Sequence, residues 1–290
     1  MSTTRIVRQL IAGAALLAGA STALAQPLSV EVYNPGESAI FPVTSTLISG
    51  EREAILVDAQ FSTREAQELV ERIQASGKTL TTIFISHGDP DFYFGLDTLT
   101  RAYPEAKVLA TPETVAYIEK SRAPKLAYWG PILKDSAPER TLVPQALQGD
   151  SLTLEGQSLQ LIGHDPKHTS LWIPSIKTVV GGVLTYANIH PWIADAQTVE
   201  ARQSWLKSLD QLEALQPTML IPGHYLGEAK LNLDDLRFTR DYLLTLEAEL
   251  PKAQDSQSLI AAMKAKYPEL LDASSLELSA KVLKGEMQWP

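Results

Sequence analysis

The stretch that decides the fold is IFISHGDPDFYFG, residues 83–95, where an apolar run ends and His87, Asp89 and Asp91 follow at alternate positions. The apolar run predicts a short buried strand. A strand that stops under a turn leaves polar side chains at the sheet edge, where α/β proteins carry binding sites. His and Asp are good ligands for a divalent ion. The same letters also make an ordinary turn, because Pro90 presets one backbone dihedral and Asp caps backbone amides.

The composition is that of a globular protein. The chain has 290 residues, of which 44% are hydrophobic and 20% are charged, so it can bury a large core. The formal net charge is −9, which argues against a nucleic-acid partner. The sequence contains no cysteine, so disulfides are excluded and any metal must be bound by nitrogen and oxygen.

The first 25 residues have the pattern of a secretory signal peptide. Arg5 and Arg8 precede an apolar run at 10–17, and small residues at 22–25 provide an A-x-A cleavage site before Gln26. The alternative is a buried N-terminal helix. After residue 25 no basic cluster or long apolar span follows, which argues against membrane insertion once the signal is removed. We therefore expect a periplasmic or secreted protein.

The first half of the mature chain alternates strands with helices. The helix at 63–75 places Ala66, Leu69, Val70 and Ile73 on one face, with Ser62 or Thr63 as its cap. Two β-α-β steps follow from the pattern. The strands are predicted at 29–33, 44–49, 54–57, 82–86 and 107–110, and the further helices at 94–102 and 112–120.

Residues 121–148 are predicted to be irregular, because four prolines are spaced along them. A segment of that length inside a compact domain is a lid or a binding loop, in which Tyr128, Trp129 and Ile132 would line a pocket. The alternative is a packed Ω-loop that buries its own aromatic side chains.

The second half begins with another group of strands. They are predicted at 151–154, 159–162, 170–173 and 178–180, followed by a helix at 196–215 and a last strand at 218–221. From Leu231 onward the residues are helix-forming and lack strand patterns. The economical architecture is two mixed sheets with helices on their outer faces, followed by a helical cap or tail.

Two more histidines lie at predicted strand ends. His168 precedes the strand at 170–173, and His224 follows the last strand in a Pro-Gly-His sequence. A single His at a strand end is usually a surface or hydrogen-bonded residue. Three polar strand ends in one α/β domain are harder to dismiss as chance.

With these residues the sequence resembles the metallo-β-lactamase superfamily, an αββα fold of metal-dependent hydrolases. The family signature is His-x-His-x-Asp-His after a central strand, then a Gly-His-Thr-type His, a Gly-Asp pair and a Pro-Gly-His. The matching segments are HGDPDF at 87–92, His168 with Thr169, the glycines at 181–182 with Val183, and PGH at 222–224. Asp58 matches an early family Asp that supports the site from beneath its ligands.

The resemblance implies an α/β fold, an αββα sandwich of two mixed β-sheets with helices on the outer faces and a C-terminal helical extension. It covers residues 30–228, and the extension runs from about 229 to 290. After the signal peptide at 1–25, residues 26–290 are therefore expected to form one domain.

The departures from the signature change the implied metal site. Asp89 replaces a His, Phe92 replaces a His, and either Gly182 or Val183 replaces the Asp that bridges two metals. The first site would then keep His87, Asp89 and His168, while the second would keep only Asp91 and His224. We expect one divalent ion, Zn²⁺ in the first place, with Fe²⁺ or Mn²⁺ as alternatives. His164 and His190 are candidate substitute ligands.

The resemblance implies an exported metal-dependent hydrolase that acts on a small-molecule substrate. A metal-bound hydroxide would attack an ester, lactone, thioester or amide bond. Asp91, freed by the loss of a second metal, would be the catalytic general base. The alternative is a non-catalytic binding or sensing protein that kept the fold and lost the dinuclear site.

Overall fold

The computed structural model describes residues 26–289, so the predicted signal segment at 1–25 lies outside the described residues. Two mixed β-sheets pack face to face between layers of helices. In the first sheet, the first three strands are antiparallel neighbours and the remaining strands run parallel. In sheet order and chain order its strands are β1 (Ser29–Tyr33), β2 (Ser45–Ser49), β3 (Glu53–Val57), β4 (Thr79–Ile85), β5 (Lys107–Ala110) and β6 (Gln145–Ala146).

The second sheet is built from the other half of the chain. Its strands and those of a small ribbon are β7 (Ser151–Leu154), β8 (Gln157–Ile162), β9 (Ser170–Ile173), β10 (Thr178–Val180), β11 (Tyr186–Ala187), β12 (Met219–Leu220) and β13 (His224–Tyr225). The sheet order is β12, β10, β9, β8, β7, while β11 and β13 pair in parallel as the ribbon. Only β12 runs parallel to its neighbour in this sheet.

Helices cover the outer face of each sheet. They are α1 (Thr63–Ser76), α2 (Pro90–Tyr93), α3 (Leu96–Ala102), α4 (Pro112–Leu133), α5 (Val199–Ala214), α6 (Leu233–Glu249), α7 (Ser256–Lys266) and α8 (Ala273–Leu283). Buried side chains of α1, α3 and α4 share one apolar cluster with the first sheet. Those of α5 to α8 share another with the second sheet. This is the predicted αββα arrangement with its C-terminal helical extension.

The central strands show why the two sheets stack. Side chains alternate between the faces of a strand, and in β4 Ile83 and Ile85 face the helices while Phe84 faces the second sheet. In β3, Leu56 likewise packs toward the helices and Val57 toward the second sheet. Strands that are apolar on both faces must be covered on both, which only an inner position between two layers provides.

The start of α1 follows from its sequence. Ser62 caps the helix, since its hydroxyl oxygen accepts from the Glu65 backbone N–H at 3.3 Å while a Glu65 carboxylate oxygen accepts from the Ser62 N–H at 2.9 Å. This reciprocal pair satisfies two backbone donors that the first turn would otherwise leave unpaired. The helix ends at Ser76 and is followed by Gly77, whose left-handed φ of 67° suits glycine.

The prediction of an irregular segment at 121–148 is wrong for its first half, because α4 continues to Leu133 through Pro124 and Pro131. Each proline removes one helical hydrogen bond. The helix persists because Ile118, Leu126, Trp129 and Leu133 return to the same face and pack against the core of the first sheet.

Two of the three residues expected to line a pocket point elsewhere. Tyr128 is 64% exposed and Ile132 is 45% exposed, whereas Trp129 packs against Phe41 and Phe61 with ring centroids 5.3 Å apart in both contacts. Residues 121–133 therefore form neither a lid loop nor an Ω-loop.

In residues 26–289 we find no helix that combines the length and the apolar composition needed to cross a bilayer.

Candidate active site

A hydrogen-bonded frame ties together the strand ends beneath the candidate site. The carboxylate of Asp58, just after β3, accepts from the Ser86 N–H at 2.8 Å and from the Ser86 hydroxyl at 2.6 Å. The Ser86 hydroxyl oxygen in turn accepts from the Gly182 N–H, just after β10, at 2.7 Å. Asp58 therefore lies where the sequence comparison expected it, below the residues that face solvent. We call Asp58, Ser86 and Gly182 the supporting layer.

Asp58 is fully buried, which affects its ionisation. Burial raises the pKa of its carboxyl group to about 7, although the hydrogen bonds from Ser86 act in the opposite direction. The residue also has a φ of 65°, a left-handed conformation that Asp tolerates better than most residues.

The geometry at Gly182 and Val183 determines which side chain of this turn reaches the cleft. Gly182 has a φ of 82°, and a Cβ atom there would lie 2.3 Å from the carbonyl oxygen of Thr169. The position therefore has no room for any side chain. Val183 lines the open cleft next to it, so Val183 supplies the side chain that reaches the cleft at this turn, and that side chain is apolar.

His87 and Asp89 form the first of two His–Asp pairs. His87 Nε2 lies 3.0 Å from Asp89 Oδ2, and His87 Nδ1 lies 3.2 Å from the carbonyl oxygen of Lys167. The second carboxylate oxygen of Asp89 contacts the ammonium group of Lys125. Burial opposes ionisation of Asp89, yet the positive charges of His87 and Lys125 hold its pKa well below the usual range.

Lys125 is held in this position by more than its ion pair. Its Nζ donates to the Tyr117 hydroxyl at 3.1 Å and lies 4.7 Å from the centre of the Tyr117 ring. Burial lowers the pKa of Lys125, but the charge of Asp89 outweighs it and raises the pKa above its ordinary value. Lys125 therefore carries its positive charge inside the site.

Asp91 and His224 form the second pair. His224 Nε2 lies 2.8 Å from Asp91 Oδ2, and the His224 ring stacks on Tyr186 at 5.4 Å between centroids. Among residues 26–289, no group donates a hydrogen bond to the other carboxylate oxygen of Asp91, and His224 Nδ1 is buried without a partner. Asp91 itself lies at the start of the short helix α2, directly after Pro90.

Phe92 separates the two pairs. Its ring lies edge to face with His87 at 5.1 Å on one side and with His224 at 5.4 Å on the other. Phe92 therefore does more than remove a predicted donor. Its aromatic ring occupies the space between the two imidazoles and so divides the site.

Of the other predicted histidines, only His168 reaches the site. Its ring stacks on His87 at 5.2 Å, and its Nδ1 lies 2.9 Å from Asp165 Oδ2. His164 is exposed. His190 is buried elsewhere, with Nδ1 2.9 Å from the Tyr242 hydroxyl, and does not face the cleft.

A cleft opens above these pairs in two adjoining cavities that share Val183, Trp192 and Asp195. They enclose about 530 and 760 Å³ of space that is open to solvent. The larger cavity contacts Asp91 and Lys125 and is walled mainly by aromatic and apolar side chains: Phe41, Phe92, Trp129, Tyr186, Ile189, Trp192 and Trp289. Such walls suit a small organic molecule.

A profile described as the metallo-beta-lactamase superfamily matches residues 39–224 of the sequence, which is more than half of the chain. The protein belongs to the metallo-β-lactamase superfamily. The family predicted from the sequence motifs is confirmed, and membership indicates a hydrolase-like function in general.

Solved structures agree in fold. A metallo-beta-lactamase family protein from Thermus thermophilus superposes with a TM-score of 0.60 at 20% identity, covering 87% of this chain and 91% of that one. A beta-lactamase domain protein from Burkholderia ambifaria gives 0.61 at 15% identity, covering 88% and 84%. An uncharacterized protein of Bacillus subtilis is 34% identical over 71 residues, which span 24% of this chain and 30% of that protein.

The superfamily typically binds divalent metals, so the donor set needs a test of fit. A catalytic zinc ion takes three protein ligands and keeps one open position. Across residues 26–289, no three His, Cys, Asp or Glu side chains are grouped so that they could hold one ion. The donors form separate pairs instead, and Lys125 already supplies a cation to Asp89. As arranged, these residues do not fit a catalytic metal ion.

Several cleft residues were not found from the sequence. Tyr117 and Lys125 lie eight residues apart on α4, just over two turns, so both meet the site from one helix face. Trp192 and Trp289 donate their indole N–H groups to Asp195 at 2.6 and 2.8 Å. Continuing the helical pattern through Pro124 would have revealed the first two residues. No signal links Trp289 to the site.

Proposed function

We propose that this protein is an exported hydrolase that acts on an ester, lactone, thioester or amide bond of a small molecule. Membership of a hydrolase superfamily supports the general class. The observation that carries the proposal is the setting of Asp91, whose carboxylate lines the larger cavity with one oxygen held by His224 and the other without a hydrogen bond from residues 26–289.

In this proposal Asp91 is the general base. His224 fixes the orientation of its carboxylate, so the remaining oxygen is available to take a proton from a water molecule in the cleft. A positioned base of this kind contributes typically ~10²–10⁴-fold in rate. The aromatic walls would bind the apolar part of the substrate and exclude bulk water. The divalent ion expected from the sequence resemblance has no part in this step, because the donors in residues 26–289 form separate pairs and not one group that could hold an ion.

The experiment is a hydrolysis assay of residues 26–290 on chromogenic substrates of the four bond classes, with and without a chelator. We expect turnover of at least one class, unchanged by the chelator. Asp91→Asn should lower that turnover by at least about a hundredfold. The matched control is Asp150→Asn, because Asp150 is an exposed carboxylate on a turn away from the cleft.

Two results would contradict the proposal. If the chelator abolishes turnover and Zn²⁺ restores it, the enzyme is the metal-dependent hydrolase that the motif predicted. If Asp91→Asn is as active as Asp150→Asn, the base lies elsewhere.

Export is the second part of the proposal, and it rests on the sequence pattern at 1–25. We expect the mature protein to begin at Gln26 in the periplasm or the medium. Mass spectrometry of protein recovered from those fractions measures this directly, and exported protein that retains Met1 would contradict it.

A binding or sensing protein is the second candidate. The observation that favours it is that the apolar side chains of Phe92 and Val183 line the cleft, Phe92 at a position where the family signature has a metal ligand and Val183 at or directly after another. The same substrate panel separates the two functions. A binding protein would show a rise in melting temperature with a ligand, while no member of the panel would be hydrolysed.

A further inference from the structure

We propose that the ammonium group of Lys125 occupies the metal position of this fold and keeps divalent ions out of the site. The inference concerns metal binding alone, so it holds for a hydrolase and for a binding protein.

Helix α4 is held over the site by packing contacts on both sides of Lys125. The Tyr117 ring packs directly on the backbone of Gly88, where a Cβ atom would lie 2.3 Å from Tyr117 Cδ1. Farther along the helix, Trp129 packs against Phe41 and Phe61 in the first core cluster. Lys125 lies between these two anchor points, so packing on both sides fixes its position relative to Asp89.

Asp89 has no free carboxylate oxygen for a metal ion. Oδ2 lies 3.0 Å from His87 Nε2, and Oδ1 contacts the Lys125 ammonium and lies 3.5 Å from the Tyr117 hydroxyl. The side chains of Lys125 and Asp89 are only 21% and 23% exposed, so water screens this pair less than it would a surface pair. A divalent ion would have to displace the ammonium from the carboxylate and remain next to it.

No unpaired set of ligands elsewhere in the described site would compensate an ion for displacing the Lys125 ammonium. Asp91 and His224 lie beyond the Phe92 ring and are paired with each other. His168 is paired with Asp165. An incoming ion would therefore meet a repelling ammonium, and the paired donors would have to leave their present partners before they could complete the three ligands of a stable site.

The test is metal titration of the purified chain with Zn²⁺ and, separately, Mn²⁺, followed by desalting and elemental analysis. We compare the wild type with Lys125→Met, which keeps the apolar stem and removes the charge. The matched control is Lys120→Ala, an exposed lysine of the same helix. Circular dichroism and thermal unfolding establish that each variant is folded.

We expect the wild type and Lys120→Ala to retain less than about a tenth of an equivalent, as expected for a protein without a formed site. Lys125→Met should bind the ion at least about tenfold more tightly, because the repulsion between an ammonium and a divalent cation acts at short range. Adding Asp89→Asn to Lys125→Met should remove the gain, which distinguishes this site from binding at exposed side chains.

The inference is overturned if the wild type retains a full equivalent that Asp89→Asn abolishes. It is also overturned if folded Lys125→Met binds no more metal than Lys120→Ala.

Discussion

Two layers meet at the strand edge of this molecule, and they differ in how their polar groups are satisfied. The supporting layer of Asp58, Ser86 and Gly182 is buried, and its hydrogen bonds join the two sheets. Above it, the residues that face the cleft form what we call the lining layer: His87, Asp89, Asp91, Phe92, Lys125, His168, Val183 and His224.

The difference explains how the ligand positions could change without loss of the fold. The supporting layer joins core strands through bonds among its own members, so loss of the Asp58 or the Ser86 side chain leaves a buried polar group unpaired. The lining layer borders the cleft, where Phe92 and Val183 add apolar contacts in place of donors. Stability and chemistry are thus assigned to neighbouring but separate sets of residues.

The largest expected difference between the two layers is in the pH dependence of stability, which Asp58 of the supporting layer controls. The pKa of Asp58 is raised from 3.8 to about 7 in the folded protein. The folded state therefore binds more protons than the unfolded chain between about pH 4 and pH 7, so its contribution to the free energy of unfolding falls as pH rises through that range. The change is at most about 4 kcal/mol.

Urea unfolding of wild type and Asp58→Asn from pH 4 to pH 8 measures this effect. The Asn variant keeps the side-chain shape and has no titrating group, so its stability should fall less than that of the wild type as the pH rises. Equal pH dependence in the two proteins would mean that Asp58 is ionised throughout.

Asp58→Ala should be the next largest effect. It leaves the Ser86 N–H and hydroxyl donors buried without an acceptor, at a cost of about 3 kcal/mol in unfolding free energy. Asp91→Asn, one layer above, should change stability by less than about 1 kcal/mol. Denaturant titration at pH 8 compares the two. Comparable losses for both variants would show that the layers are not separate.

Gly182→Ala should destabilise the protein by about 2 kcal/mol or more, because the new methyl group meets the Thr169 carbonyl oxygen and the φ of 82° is strained for alanine. Val183→Ala, the adjacent residue of the lining layer, should cost about 1 kcal/mol or less, since Val183 borders open space. Thermal unfolding compares the stability losses of the two substitutions. A larger loss for Val183→Ala than for Gly182→Ala would assign Val183 to the supporting layer.

The smallest effect distinguishes His168, which contacts the first pair, from His164, which does not. His168→Ala removes a ring that stacks on His87 and should cost about 0.5–1 kcal/mol. His164 is exposed, so His164→Ala should stay within about 0.5 kcal/mol of the wild type. A larger loss for His164→Ala in denaturant titration would show that the His164 side chain makes contacts that stabilise the fold.

The fold could be read from the sequence where periodicity and burial agree. The run at 83–85 is apolar on both faces, and the structure places it between two layers, as strand alternation requires. Prediction failed at α4, because local rules treat Pro124 as a break while contacts of Trp129 and Leu133 with the first core hold the helix together. Tertiary packing outweighed the local signal there.

The sequence by itself determined the superfamily, the strand ends where polar residues meet, and the supporting role of Asp58. Only the tertiary structure decided which partner each donor takes. Lys125 contacts Asp89 across 36 residues, and His224 contacts Asp91 across 133. Contacts at such separations depend on how helices and sheets pack, and no local pattern encodes that packing. A motif can therefore specify where the donors lie along the chain while the packed structure directs them to each other rather than to a common ion.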